Sequence, residues 1–160
     1  MSILADRNTK VIIQGITGRE AASFTRDMLD YGTRVVAGVT PGKGGQQVHG
    51  VPVHDTVRQA VREEPVQASV ISVPPRMVLG AALEALENGI ELLVVVTERI
   101  PRKDVVEILE VARASGARVI GPNTLGIISP DSVKLGMAGG PLEDVKKAYM
   151  PGHVGIASRS

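Results

Sequence analysis

The chain has 160 residues, is 43% hydrophobic and carries a formal net charge of +1. That apolar fraction excludes wholesale disorder, and the near-balanced charge gives no sign of a nucleic-acid or membrane surface. The absence of cysteine excludes a disulfide scaffold, a thiolate zinc site, an iron–sulfur cluster and a cysteine nucleophile.

Residues 1–7 hold no apolar core of the length a signal peptide needs. The longest apolar run, 92–96, is far too short to span a bilayer. A soluble, cytoplasmic protein is expected. Phe24, Tyr31 and Tyr149 are the whole aromatic complement, which leaves little for stacking single-stranded nucleic acid.

In chain order, Val11-Ile12-Ile13 reads as a first strand, followed by a small-residue turn and a helix opening near Arg19-Glu20. Val35-Val36-Ala37 is a second strand, and a glycine loop follows it. Val51-Pro52-Val53 is a short excursion strand between His49 and His54. Val57, Ala60 and Val61 fall at helical spacing. Val70-Ile71-Ser72-Val73 is a strand, 77–87 a helix with a wide apolar arc, and 92–96 a strand. In 104–115, Val105, Ile108, Leu109 and Ala112 follow i, i+3, i+4, i+7, and Val119-Ile120 is the next strand.

These strands do not alternate polar with apolar, so they read as buried on both faces, as parallel strands are. Gly32, Gly89 and Gly116 each stand three residues before a strand, where a glycine past a helix end adopts the left-handed conformation without Cβ penalty. The β-α-β-α rhythm predicts an α/β fold, a doubly wound sheet of about five parallel strands. Right-handed crossovers then put all their carboxyl ends on one edge. Past residue 128 the rhythm breaks. Residues 129–151 read as a connector with a short strand around Val133-Lys134-Leu135. His153-Val154-Gly155-Ile156-Ala157 reads as a new strand, so 152–160 is expected to begin a truncated second domain.

Ligands of open parallel sheets bind outside the carboxyl ends of the strands, so the strand-to-helix loops are the candidate site. They are Gly15-Ile16-Thr17-Gly18-Arg19-Glu20, Thr40-Pro41-Gly42-Lys43-Gly44-Gly45, Val73-Pro74-Pro75, Thr97-Glu98-Arg99-Ile100-Pro101 and Gly121-Pro122-Asn123-Thr124. Counted from Gly15, the G-x-G-x-x-G dinucleotide template needs glycine where Thr17 and Glu20 stand. The second strand also closes on Gly38-Val39-Thr40, without the carboxylate that holds a ribose. NAD is disfavoured on both counts. Backbone N–H groups of Gly18, Arg19 and Glu20 remain suited to a phosphate at a helix N-terminus. Lys43, followed by Gly44 rather than Ser or Thr, is no Walker motif, yet it is a point charge on a flexible backbone that suits a phosphate ligand. Arg19, Arg76 and Arg99 stand at loop–helix junctions. His49, His54 and His153 lack metal-ligand spacing, and no metal site is expected.

Residues 8–18, Tyr31-Gly32-Thr33 and Gly38-Val39-Thr40-Pro41-Gly42-Lys43-Gly44-Gly45 together resemble the α subunit of succinyl-CoA synthetase (succinate–CoA ligase). Val73-Pro74, Thr97-Glu98-Arg99-Ile100-Pro101, Gly121-Pro122-Asn123 and Gly155-Ile156-Ala157-Ser158-Arg159-Ser160 extend the resemblance in register. It implies that 1–128 is a Rossmann-like CoA-binding domain. It implies CoA contacts at Thr17, Gly18, Arg19, Glu20, Lys43, Val73, Pro74, Val96, Thr97 and Glu98. The family ligase makes succinyl-CoA from succinate, CoA and ATP or GTP through a phosphohistidine. The resemblance puts that histidine outside this chain, and the nucleotide with its Mg in a partner β subunit. Catalytic residues are therefore expected to lie elsewhere, and the fragment alone to be inactive. The alternatives are a stand-alone CoA-binding or regulatory module, or the equivalent domain of a related ligase such as malate–CoA ligase.

Overall fold

In the computed structural model, residues 3–158 are described. The strands are β1 (Lys10–Gln14), β2 (Arg34–Val39), β3 (Gln47–Val48), β4 (Val51–His54), β5 (Ala68–Ile71), β6 (Leu92–Val95), β7 (Arg118–Ile120), β8 (Gly126–Ser129) and β9 (Val133–Gly136). The helices are α1 (Arg19–Tyr31), α2 (Val57–Glu63), α3 (Val78–Glu87), α4 (Arg102–Ser115) and α5 (Leu142–Ala148), with a 3-10 turn at Pro75–Met77. A 7-stranded sheet has the order β3-β4-β2-β1-β5-β6-β7. All its pairings are parallel except β3 with β4. The doubly wound α/β architecture read from the rhythm is therefore present, with β1 at the point where the strand order reverses.

The sheet is wider than the expected five strands. The stretch at 51–53, read as a short excursion strand, is β4, and it joins β2 in parallel through Gly38↔Val53 and Val39↔His54. Its alternation puts Val51 and Val53 into the core while Pro52 faces out, which is what a strand near a sheet edge does with proline.

Each strand sends alternate residues to opposite faces. Val11, Ile13, Val70 and Val94 enter one buried cluster, with Phe24 and Met28 of α1. Ile12, Ile71, Leu93 and Val95 enter the other, with Val57 of α2, Ala82 of α3 and Ile108 of α4. Fully burying a side chain of this size contributes about 1.5–3 kcal/mol. Two polar groups are buried with their partners. Gln14 donates from Nε2 to the Ala81 carbonyl at 2.9 Å and accepts from Ser69 Oγ at 2.7 Å.

The helix ends follow the sequence. Gly32 and Gly116 are the left-handed caps of α1 and α4, with φ of 95° and 75°. α2 has a capping box: Thr56 Oγ1 accepts from the Gln59 N–H, and Gln59 Oε1 accepts from the Thr56 N–H. In α4, Ile108 and Ala112 are buried, but Leu109, expected on the same face, is 46% exposed. α4 packs on β7, an edge strand, so among the described residues no further strand extends the sheet beneath the Leu109 side of the helix.

The region after residue 128 differs most from its reading as a connector. β8 begins at Gly126, across the expected boundary, and pairs antiparallel with β9, which contains the expected strand at 133–135. Val133 and Leu135 are buried in the α1-side cluster. Thr33 Oγ1 donates to the Lys134 carbonyl at 2.8 Å and accepts from the Lys134 N–H at 3.1 Å. The Lys134 side chain is itself wholly buried. Its Nζ donates to the Gly140 carbonyl and stands 3.9 Å from Asp27 Oδ2. Burial pushes this ammonium below its ordinary pKa, and the Asp27 carboxylate opposes that shift in part. Among the described residues, 153–157, read as a strand, pair with no strand, and Val154 is 88% exposed. Arg159 and Ser160, the end of that expected segment, lie outside the described residues.

Candidate functional site

The loops after β1, β5, β6 and β7 meet at one edge of the sheet and enclose a cleft of about 630 Å³. The first loop has a backbone only glycine allows. Gly15 has φ of 86°, and a Cβ there would lie 2.1 Å from the Ser72 carbonyl oxygen. The chain thus crosses directly over the end of β5. The Gly15 N–H donates to the Val39 carbonyl at 2.7 Å, and the Gly18 N–H donates to the Gly15 carbonyl at 2.9 Å. Gly18 then opens α1 with no side chain capping it. The first-turn N–H groups that follow are therefore open to a ligand, at the positive end of a 13-residue helix.

The other loops are tied to one another. Thr97 Oγ1 donates to the Val73 carbonyl at 2.8 Å, joining the ends of β5 and β6. The Asn123 N–H donates to the Thr97 carbonyl at 3.1 Å, joining β6 to the loop after β7. Gly121, with φ of 98°, is packed so that a Cβ would lie 2.4 Å from the Val95 carbonyl oxygen. The rim of the cleft is charged: Arg99, in a left-handed backbone conformation with φ of 57°, stands with its Nε 3.5 Å from Glu98 Oε1, and both side chains are exposed.

Of the positions singled out from the sequence, Gly18, Arg19 and Glu20 from α1, Val73 and Pro74 from the β5 end, and Val96, Thr97 and Glu98 from the β6 end line this one cleft. Thr17 and Lys43 do not. Thr17 Oγ1 donates to Thr40 Oγ1 at 3.3 Å, over the β1–β2 side. There a second hollow of about 300 Å³ lies between Gly15, Val39, Pro41 and Arg76, and it shares the Val73 wall with the cleft.

Lys43 is exposed on the loop between β2 and β3. That loop, read from its glycines as flexible, is held at several points. The Lys43 N–H donates to the Thr40 carbonyl, the Gly45 N–H to the Val53 carbonyl and the Gly44 N–H to Asp55 Oδ1.

The cleft also includes Met137, which follows β9. Nothing in local spacing marks it, because the hairpin reaches the site only through its packing on α1. The histidines are engaged elsewhere or remote: His49 Nε2 contacts the Ala22 carbonyl at 2.9 Å and His54 faces Glu63 at 3.6 Å. His153 lies in the exposed stretch after α5. Among the described residues, no group of three or more His, Cys, Asp or Glu side chains is placed to hold a metal ion. No helix among them is long and apolar enough to cross a membrane.

Comparison with known proteins bears on what this edge binds. The chain is 49% identical over 160 residues to the succinate–CoA ligase [ADP-forming] subunit alpha 2 of Archaeoglobus fulgidus, covering 100% of this chain and 54% of the relative. It is 44% identical over 160 residues to the succinate–CoA ligase [ADP-forming] subunit alpha of Staphylococcus aureus, covering 100% of this chain and 51% of that one. The chain thus spans about half the length of these curated relatives. Among solved structures, ATP citrate lyase from Methanothrix soehngenii in complex with citrate and coenzyme A superposes with a TM-score of 0.79 at 23% identity, over 89% of this chain and 25% of that one. This is a likeness of fold. Residues 6–99 match the CoA binding domain family, a stretch that runs from the approach to β1 through the β6 loop and contains every expected contact residue. The chain belongs to the CoA binding domain family.

Proposed function

We propose that this chain is the CoA-binding part of an acid–CoA ligase, with succinate as the acid, and that CoA lies with its adenosine-diphosphate portion across the strand ends. The observation that carries this reading is the cleft at the uncapped start of α1, lined by residues from the three separate strand-end loops that the family resemblance names. Open N–H groups and the helix dipole favour a phosphate there. The absence of a Cβ at Gly15 lets the chain turn over β5, which leaves the strand-end surface accessible. Thr97, fixed by the Val73 carbonyl, sets the position of the β6 loop against the ligand. Lys43 supplies a mobile cation at the end of a fixed loop.

When bound, CoA supplies a thiol for acyl transfer. This chain's part is to bind and orient it. Two observations support a phosphohistidine elsewhere: His49 and His54 are engaged with other groups, and none of His49, His54 and His153 lines the cleft. We place that residue outside this chain, and ATP or GTP with Mg on a partner β subunit. Calorimetric titration of the 160-residue chain with CoA tests the reading. Lys43→Ala removes a charge-assisted contact of about 1.5–3 kcal/mol and is expected to weaken CoA roughly 10–150-fold. A folded wild-type chain that neither binds CoA nor is competed by it would overturn the assignment. Added NAD is expected to leave the CoA titration unchanged.

A further inference from the structure

The glycine loop that carries Lys43 is gripped from outside by one side chain. Gly42 and Gly45 have φ of 76° and 85°, a glycine-permissive backbone that would otherwise sample many conformations. Backbone bonds close both ends of the loop: the Lys43 N–H donates to the Thr40 carbonyl, the Gln46 N–H to the Lys43 carbonyl and the Gly45 N–H to the Val53 carbonyl. Among the described residues, the only side chain bonded to the backbone of 40–46 is Asp55, whose Oδ1 accepts from the Gly44 N–H at 2.9 Å. The fit is close, since a Cβ on Gly44 would lie 2.6 Å from Asp55 Oδ2.

Asp55 is in turn fixed by the start of α2. Its own N–H donates to Gln59 Oε1 at 3.0 Å, and the Thr56 N–H donates to the same oxygen at 3.2 Å. The α2 capping box and the Lys43 loop are therefore one hydrogen-bonded unit. A carboxylate beside a phosphate-binding lysine works against phosphate affinity by charge alone. Its geometry accounts for its presence: it grips the amide next to Lys43.

We propose that Asp55 is a positioning residue, fixing the Gly44 amide so that the Lys43 ammonium is presented to a phosphate of CoA. This rests on the reading that Lys43 meets that phosphate. Asp55 acts through its acceptor oxygen and not through its charge, so asparagine, which keeps the oxygen, substitutes for it and alanine does not.

The test measures CoA affinity by calorimetry for wild type, Lys43→Ala, Asp55→Ala, Asp55→Asn and the Lys43→Ala/Asp55→Ala pair, with amide exchange at Gly44 read by NMR. Asp55→Ala is expected to weaken CoA about fivefold, the typical effect of one lost hydrogen bond of about 1 kcal/mol. It is also expected to speed exchange at Gly44. Asp55→Asn is expected to stay within about threefold of wild type, with Gly44 still protected. On the Lys43→Ala background, Asp55→Ala is expected to add less than about twofold, because residues acting through one another are not additive. Should Asp55→Ala not fold, Gly44→Ala reads the same contact by forcing the carboxylate away, and is expected to show the same loss. Equal affinities for the alanine and asparagine variants would overturn the proposal, as would full additivity with Lys43→Ala. Lys43→Ala weakened with Asp55→Ala unchanged overturns the proposal alone. Lys43→Ala with undiminished affinity overturns the Lys43 contact and the proposal with it.

Discussion

On one face of the sheet, α2, α3 and α4 cover Ile12, Ile71 and Leu93. On the other, α1 shares the cover with the β8–β9 hairpin, whose Val133 and Leu135 are buried in the same cluster as Phe24 and Met28. The first face is built by crossover helices: α3 packs on β5, α4 on β7, and α2 on β4 and its sheet neighbour β2. The second is completed by a segment that returns from far along the chain: Thr33 and Lys134, joined by two hydrogen bonds, are 101 residues apart. A layer made by crossovers follows from local pattern. A layer closed by a returning hairpin follows only once α1 has left a stretch of apolar surface open for it.

The largest expected effect compares buried leucines on the two faces. Leu135 and Leu93 are both wholly buried, so each Leu→Ala change is expected to destabilise by about 2–5 kcal/mol. Urea unfolding followed by two probes checks this, with a single shared transition in both variants. A Leu135→Ala cost below about 1 kcal/mol would show the hairpin to be attached to the domain without being part of its cooperative core.

A smaller effect is expected from the polar ties of each face. Thr33→Ala strips both partners from the buried Lys134 backbone and is expected to cost about 1–3 kcal/mol. Ser69→Ala removes a single donor from Gln14, which keeps its bond to the Ala81 carbonyl, and is expected to cost about 1 kcal/mol. Equilibrium unfolding of the two variants side by side would sharpen the comparison, and the reverse order would break it.

The smallest effect is one of slope. Lys134 has its folded-state pKa below the ordinary 10.5. Between its folded pKa and 10.5 the unfolded chain binds more protons than the folded one, so stability contributed by this group rises as pH climbs through that window. Removing one member of a buried ion pair costs stability when the other is left buried, but Asp27 stands 3.9 Å away and is 28% exposed, so water replaces the ammonium there. Lys134→Met is therefore expected to melt near wild type at neutral pH and to lose the rise in melting temperature on the alkaline side. A wild-type melting curve that stays flat with pH while Lys134 remains buried would contradict the assignment.

Much of the fold was legible residue by residue. The apolar runs located β1, β2, β5, β6 and β7, and Gly32, Gly89 and Gly116 marked the turns between helix and strand, each with positive φ. The gathering of the strand-end loops at one edge was legible, because a right-handed β-α-β chain has only one edge to present them on. What was not legible depended on neighbours. Val51-Pro52-Val53 reads as a short strand, but its place beside β2 shows only in the assembled sheet. Leu109 reads as core until α4 is seen to lie over the last strand. Lys43 sits among glycines that suggest mobility, and only the proximity of Asp55, 12 positions on in the chain, makes its loop a fixed one.

By itself the sequence determined the period of the main parallel strands and their crossover helices, the glycines that let the chain turn, and the single edge on which Gly18, Val73, Thr97 and their neighbours would gather. These depend on side-chain alternation and backbone sterics over a few residues. Only the tertiary structure decided which contacts separate the cleft from the Thr17 side, that Met137 closes one wall, and that Lys134 is buried between α1 and the turn at Gly140. Those contacts join residues tens to a hundred positions apart, and their energy appears only when chain entropy has already been overcome by the packing of the layers around them.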